Sequence, residues 1–375
     1  MSNLEVNTIN DASGGSNAVL YGVASPPNSM GFRNRIINGE MRIDQRNAGA
    51  SVTPTIDSTY TLDRWHCRLT QPSKFSVQRN AGSVTPPSGF TNYLGATSAS
   101  AYALLASDFF LLAHTIEGLN ISDLGWGTAS AQPVTLSFWV RSSLTGTFGG
   151  VAYNASGARS YPYTYTISAA NTWEFKTVVI PGDTTGTWAT GNSTGITVNF
   201  SLGAGATVSG PSGAWAGSLY RSATGATSVV GTNGATFYIT GVQLEAGSVA
   251  SPFERRDYGR ELAMCQRYYW KTFDGATGTA PGDSGAVYSG TNTNTSTSFD
   301  MRVVVRNPVM MRSAPTVTLA NPTQTWGNTN WRTSSDSGDV ASVAGNINTQ
   351  GFVAALTAVP AQQWARGHLQ ASAEL

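Results

Sequence analysis

Charge is scarce in this chain. Asp, Glu, Lys and Arg make up 11% of its 375 residues, against roughly a quarter in an ordinary globular protein. The net charge is only +1, so no broad field of one sign steers nucleic acid or an anionic membrane surface onto it, and neither is expected as a partner. Lysine is rarer still, at Lys74, Lys176 and Lys271 alone. The other cations are arginines, whose planar forks suit partly buried pairs and subunit contacts. Cysteine occurs twice, at Cys67 and Cys265, each on an apolar face, which predicts buried free thiols. The only histidines are His66, His114 and His368. With no H-E-x-x-H and no clustered Cys/His spacing, no metal ligands are assigned, and each histidine reads as a strand or loop residue. A Walker A sequence and a G-x-G-x-x-G turn are both missing, so no cofactor is expected. No apolar run approaches the ~20 residues of a membrane helix, which predicts no membrane insertion. The polar first seventeen residues do not read as a signal peptide, and cytoplasmic synthesis without classical export is the expectation.

What the chain has in quantity is glycine, 41 residues, above the usual share of about 7%, with Ser, Thr and Asn carrying the polar surface. Aromatics make up 10%, which argues against disorder. Runs of period two recur. Trp65, Cys67 and Leu69 alternate with Arg64, His66 and Arg68; Leu136, Phe138 and Val140 alternate with Thr135, Ser137, Trp139 and Arg141; Tyr161, Tyr163, Tyr165 and Ile167 form another run, as do Ile196, Val198, Phe200 and Leu202. Alternation gives each strand one buried and one wetted face. Many short strands between small-residue turns predict an all-β chain, a jelly-roll or β-sandwich domain over residues 51–253 and a smaller β-sandwich over 271–375. Between them, residues 254–270 read as a linking helical segment, because Tyr258, Leu262, Cys265 and Tyr269 recur at helical spacing. Residues 1–50 read as an extended arm, its arginines mixed with apolar residues and packed on neighbouring subunits. Residues 109–119 are apolar throughout, and periodicity does not decide between strand and helix there. The Gly/Ser-rich stretch 203–234 reads as a long loop that either binds a ligand or packs on a neighbouring subunit.

Two enzyme-like patterns come to nothing. His66-Cys67 and Gly282-Asp283-Ser284-Gly285 resemble trypsin-like His and Ser motifs, but His66 is flanked by arginines and the Gly-Pro that should follow is Ala286-Val287. A triad is defined by geometry, which two short matches do not supply. Residues 191–195 fit G-x-S-x-G, yet a strand follows where a nucleophile elbow needs a helix. No catalytic residue is assigned.

Three stretches are more specific. NRIINGEMRIDQR at 34–46 with YTLDRW at 60–65, VTLSFWVR at 134–141, and the junction at 237–269 with V-Q-L-E-x-G, P-F-E and E-L-x-x-C-Q-R-Y-Y together resemble bacteriophage tail-fibre or virion appendage proteins. In that group the middle segment resembles carbohydrate-binding jelly-roll modules. The resemblance implies a homotrimer on the exterior of the virion, attached to other virion proteins through residues 1–50 and binding host cell-surface polysaccharide. A capsid-decorating fibre or adaptor without a ligand is the alternative. A glycan depolymerase is a third reading, disfavoured because carboxylate pairs are scarce. Sugar binding calls for an aromatic platform beside hydroxyl-binding side chains. Trp326, Asn328, Asn330, Trp331 and Arg332 carry that mixture within seven residues and are the candidate ligand-binding set.

Overall fold

The computed structural model describes residues 33–156, 158–273, 282–323, 328–336 and 338–375. The chain divides into a unit Met1–Arg33 and a compact body Asn34–Leu375. The body is all-β apart from one α-helix and a few short 3₁₀ turns among the described residues.

Thirteen strands precede that helix: β1 (Thr59–Leu62), β2 (Trp65–Leu69), β3 (Phe75–Arg79), β4 (Leu94–Ser98), β5 (Phe109–Glu117), β6 (Val134–Ser142), β7 (Gly146–Asn154), β8 (Ser160–Ile167), β9 (Glu174–Ile180), β10 (Thr194–Ala204), β11 (Ser209–Gly210), β12 (Ser222–Ala223) and β13 (Thr236–Ala246). Eleven of them form two antiparallel sheets, ordered β1-β2-β5-β10-β7-β8 and β3-β4-β13-β6-β9. The chain passes repeatedly from one sheet to the other, which makes a jelly-roll sandwich. Inward residues of both sheets build one core, with Trp65, Phe75, Phe110, Phe138, Phe148, Phe200 and Phe237 among them. In β6 the alternation holds: Leu136, Phe138 and Val140 face the core while Trp139 lies on the outer face, only partly buried.

The stretch 109–119 resolves as a strand, β5, followed by a 3₁₀ turn. It lacks alternation because both faces are covered: Phe110, Leu112 and Ile116 enter the core, and Leu111 and Ala113 are buried on the other side. The stretch 203–234 is held to its own sandwich. Here β11 and β12 pair in parallel. Trp215 donates its indole N–H to the Pro181 carbonyl (2.7 Å) and packs edge-on against Trp126 and Trp188, each centroid 5.4 Å away.

Asp257 caps the helix α1 (Tyr258–Gln266), its carboxylate accepting from the Arg260 N–H at 2.9 Å. The helix is shorter than the 254–270 segment expected. Cys265 is buried on the predicted face, but Tyr258 is half exposed, and Tyr269 belongs to the next strand. The second β-region comprises β14 (Tyr269–Lys271), β15 (Val287–Tyr288), β16 (Phe299–Arg306), β17 (Thr316–Ala320), β18 (Trp331–Thr333), β19 (Asp339–Val340), β20 (Ser342–Asn348), β21 (Gly351–Val359) and β22 (Ala365–Ser372). Strand β22 is its hub, pairing with β14, β15, β17 and β18. A three-stranded sheet β16-β21-β20 completes it, over a core of its own.

The arm boundary at residue 50 needs correction. The body begins at Asn34, and Ile36, Met41 and Ile43 are buried. The apolar residues interleaved with arginines in 34–46 are core residues, and the arginines meet carboxylates of this same chain: Arg35 with Asp123, Arg42 with Glu40 and Arg46 with Glu374.

Candidate functional site

The distinctive segments at 34–46, 60–65 and 254–269 converge on one buried joint. Arg64, whose side chain is 0% exposed, pairs with Glu374, donates to the Thr115 carbonyl and lies 3.5 Å over the Tyr268 ring. Arg46 reaches the same carboxylate at 2.7 Å and stacks on Tyr269 at 3.7 Å. Glu117 accepts from Arg267 (2.7 and 3.0 Å) and from the Tyr268 hydroxyl (2.6 Å). Arg256 ties α1 to the first segment through the Ile36 and Asn34 carbonyls and Glu261. Glycine is required at position 39, where a Cβ would stand 2.2 Å from the Val242 carbonyl oxygen. Burial opposes the Arg64 charge, but Glu374 outweighs it and the guanidinium pKa rises. Asp63, accepting from both the backbone and side chain of Gln45, is pushed up to about 6 by burial. Every strong cation here already has an anion or carbonyl, so the joint's chemistry is cohesion of the two β-regions.

Neither joint cysteine nor histidine is poised to react. Burial pushes Cys67 up to about 12 and Cys265 well above the usual thiol range. His66, on β2 against Tyr60, is pushed down to about 3 by burial and then by Arg68 and Arg64. His368 on β22 bonds Thr272 and the Gly282 carbonyl, 2.8 and 2.7 Å away, which binds the turn carrying Ser284 to His368.

Of the set at 326–332, the structure describes Asn328, Asn330, Trp331 and Arg332. Trp326 lies outside the described residues. Trp331 is 0% exposed in the core of the second β-region, where a Cβ on Gly367 would stand 2.2 Å from its indole nitrogen. A ring enclosed in this way offers no face to a sugar. Arg332 and Asn328 converge on Asp339 at 3.1 and 3.3 Å, and the Asn330 N–H donates to the Asn328 side chain. These polar groups order the loop.

An aromatic groove lies instead on the outer face of the second sheet. It encloses about 370 Å³ between Phe90, Trp139, Phe175, Phe253 and Arg255, with Ser137 and Gly241 on its floor. Register across β6 and β9 sets Trp139 opposite Phe175, ring centroids 5.5 Å apart, and Phe175 is 46% exposed. Phe90 and Phe253 meet edge-on at 5.3 Å, and the Arg255 guanidinium rests 4.8 Å over Phe90. The floor depends on a bulge in β13: Gly241 has φ +60°, and a Cβ there would lie 2.6 Å from Phe90 and 3.2 Å from Trp139. A bulge that re-aims neighbouring residues next to a site is a recurrent device. Its apolar faces beside a guanidinium, a hydroxyl and backbone groups suit a ligand with one apolar and one hydroxylated side. The sequence carried a signal, because Trp139 is a large aromatic at a wetted position of β6.

The chain is an all-β protein with a jelly-roll sandwich joined to a second β-region. No family model matches it, and no curated protein matches it. Among solved structures it is similar to the enzymatically active domain of tailspike protein 4 of bacteriophage CBA120, with 13% identity and TM-score 0.32 over 57% of this chain and 21% of that one. It is also similar to the family 11 carbohydrate-binding module from Clostridium thermocellum in complex with a mixed-linked tetrasaccharide, with 12% identity and TM-score 0.27 over 55% of this chain and 100% of that one. The carbohydrate-binding module CBM4 is similar at 13% identity and TM-score 0.29 over 56% and 99%.

Proposed function

We propose that this chain is a structural subunit of a bacteriophage virion, a tail fibre that binds host-surface glycan through the groove on its second sheet. The groove carries the reading: two paired rings, Trp139 and Phe175, stand partly open to solvent beside Arg255, over a floor that admits only glycine at position 241. Aromatic faces exposed next to hydrogen-bonding groups are costly to leave in water, and a sugar ring satisfies both. The virion setting, exposure on the particle exterior and assembly as a homotrimer rest on the sequence resemblance of 34–46, 60–65, 134–141 and 237–269. Attachment to other virion proteins falls, in this reading, to the segment that precedes the body, Met1–Arg33.

The test is adsorption of the full-length chain to host cells and to a panel of neutral oligosaccharides. Trp139→Ala and Phe175→Ala should each weaken binding at least tenfold, since a buried aromatic contact in a binding site is worth about 2 kcal/mol. Melting should be unchanged, because neither ring belongs to the sandwich core. Unaltered adsorption by both variants rejects the groove as the site. Labelling on the particle then separates a tail fibre from a capsid-decorating protein.

A further inference from the structure

Arg221 is a partly buried cation without a counter-ion. No carboxylate of the described residues pairs with it, and its Nη1 is closed to solvent with no hydrogen-bond acceptor. The carboxylate whose charge reaches it from a distance, Asp57, is taken by Arg68 at 2.8 Å, and the Tyr153 hydroxyl accepts from Arg68 at 3.3 Å. Where other described arginines have shifted pKa values, a carboxylate lies beside each and raises it. At Arg221 burial outweighs the help of the Tyr153 hydroxyl, and the pKa falls. A guanidinium withdrawn from water and left without an anion is costly, so the fold implies one.

Topology shows where the guanidinium lies. Its carbon is 4.7 Å from the Phe109 ring on β5 and 5.4 Å from the Tyr153 ring on β7. Strand β10 runs between those two, so Arg221 crosses over β10. Val198 and Phe200 of β10 enter the core, which turns Asn199 outward to the same side. Asn199 is 0% exposed. Its Oδ1 accepts from the Val151 N–H at 3.1 Å, which fixes the orientation of the amide, and its Nδ2 has no partner. Ser222, beside Arg221 on β12, is also buried, and its hydroxyl has no partner either. It rests so closely on β7 that a Cβ on Gly149 would lie 2.6 Å from its oxygen. The pairing of β11 with β12 and the bond from the Arg221 N–H to the Val208 carbonyl (2.7 Å) hold both residues down on the sheet. Unpartnered buried polar groups are rare, and here three side chains able to donate meet over β10 and β7. Water would satisfy the amide and the hydroxyl but not the charge, and the enclosure excludes a carboxylate carried on a polymer. We propose that a small monovalent inorganic anion, chloride in ordinary surroundings, binds between β10 and β12, with Arg221 supplying the charge and Asn199 and Ser222 the further donors.

Full-length chain would be melted across a chloride series at constant ionic strength, gluconate making up the balance, and crystallised from bromide. The melting temperature should rise with the logarithm of chloride concentration, as binding to the folded state requires. Bromide should give an anomalous peak against Arg221 and Asn199. Arg221→Gln should lose both signals. Asn199→Asp is the second variant, and it decides if Arg221→Gln fails to fold. It keeps an acceptor for the Val151 N–H and gives Arg221 a carboxylate of its own, so it should lose the chloride dependence and the bromide peak while remaining folded. A native chain whose melting ignores chloride, a site that holds water in place of bromide, or an Asn199→Asp chain that keeps the full chloride dependence each overturns the proposal. Adsorption to glycan plays no part in these readouts, so their outcome is independent of the function proposed above.

Discussion

At the scale of single residues, burial decides which ion pairs matter. Glu374 faces Arg64, whose side chain is fully enclosed, and Arg46 beside it. Removing the carboxylate leaves a buried guanidinium without its counter-ion, so Glu374→Ala should cost about 3–5 kcal/mol. Arg35→Ala breaks a pair whose partner, Asp123, is 56% exposed, and should cost under about 1 kcal/mol. Urea midpoints of the two variants measure the contrast; equal losses would show that the Arg64–Glu374 pair is no keystone. Buried histidines make a second, pH-dependent prediction. His66 is pushed down to about 3 and His114 well below its ordinary range, burial being the first cause in both. The unfolded chain takes up protons near pH 6.5 that the fold refuses, so stability falls as pH drops from about 6.5 toward 3. Asp63, raised to about 6, acts the other way: its contribution is greatest below the unfolded carboxylate value and is lost as pH rises through about 6. Two histidines against one aspartate give a net loss on acidification between pH 6 and 4.5. His66→Gln should flatten that slope by up to about 1.4 kcal/mol per pH unit, and Asp63→Asn should steepen it. A slope unchanged in His66→Gln removes His66 from the account.

At the scale of elements, alternation was legible wherever a strand has one wet face, and illegible where it has none. β6 displayed its core residues and its outward Trp139 directly in the sequence. β5 did not, because both of its faces are buried, Leu111 and Ala113 as fully as Leu112. Glycine content marked the loop at 203–234 but could not show that Trp215 closes it onto Trp126 and Trp188. The burial of Trp331 was hidden from the sequence for a related reason. Tryptophans spaced among asparagines look the same in sequence whether they face a ligand or, like Trp331, fill a core. What distinguishes them is the opposing surface, here the bare backbone of Gly367. The groove was beyond a linear reading because Phe90, Trp139, Phe175 and Phe253 come from four separate stretches. They meet only through the β6–β9 register and the bulge at Gly241.

At the scale of the whole molecule, the body closes on itself from Asn34 onward. Asn34 donates its side-chain amide to the Val242 carbonyl at 3.1 Å and accepts from the Leu244 N–H at the same distance, pinning the first segment of the body to β13. Every later contact of the joint draws on residues after that point: Arg46, Arg64, Glu117, Arg256, Arg267 and Glu374. A chain starting at residue 34 therefore keeps both cores and the complete joint. It should melt within a degree or two of the full-length protein and, on the virion role proposed above, bind glycan equally well while failing to incorporate into particles. A chain starting at residue 51 is a different case. It loses Ile36, Met41 and Ile43 from buried positions, each worth about 2 kcal/mol or more, and strips Glu374 of Arg46 and Glu261 of Asn38. It should be unfolded or aggregated at the same temperature. Differential scanning calorimetry of the two truncations, with particle incorporation read by immunogold labelling, sets the boundary between anchor and body. Normal incorporation of the chain that starts at residue 34 would place attachment elsewhere, and a stable fold for the chain that starts at residue 51 would remove the first segment from the joint.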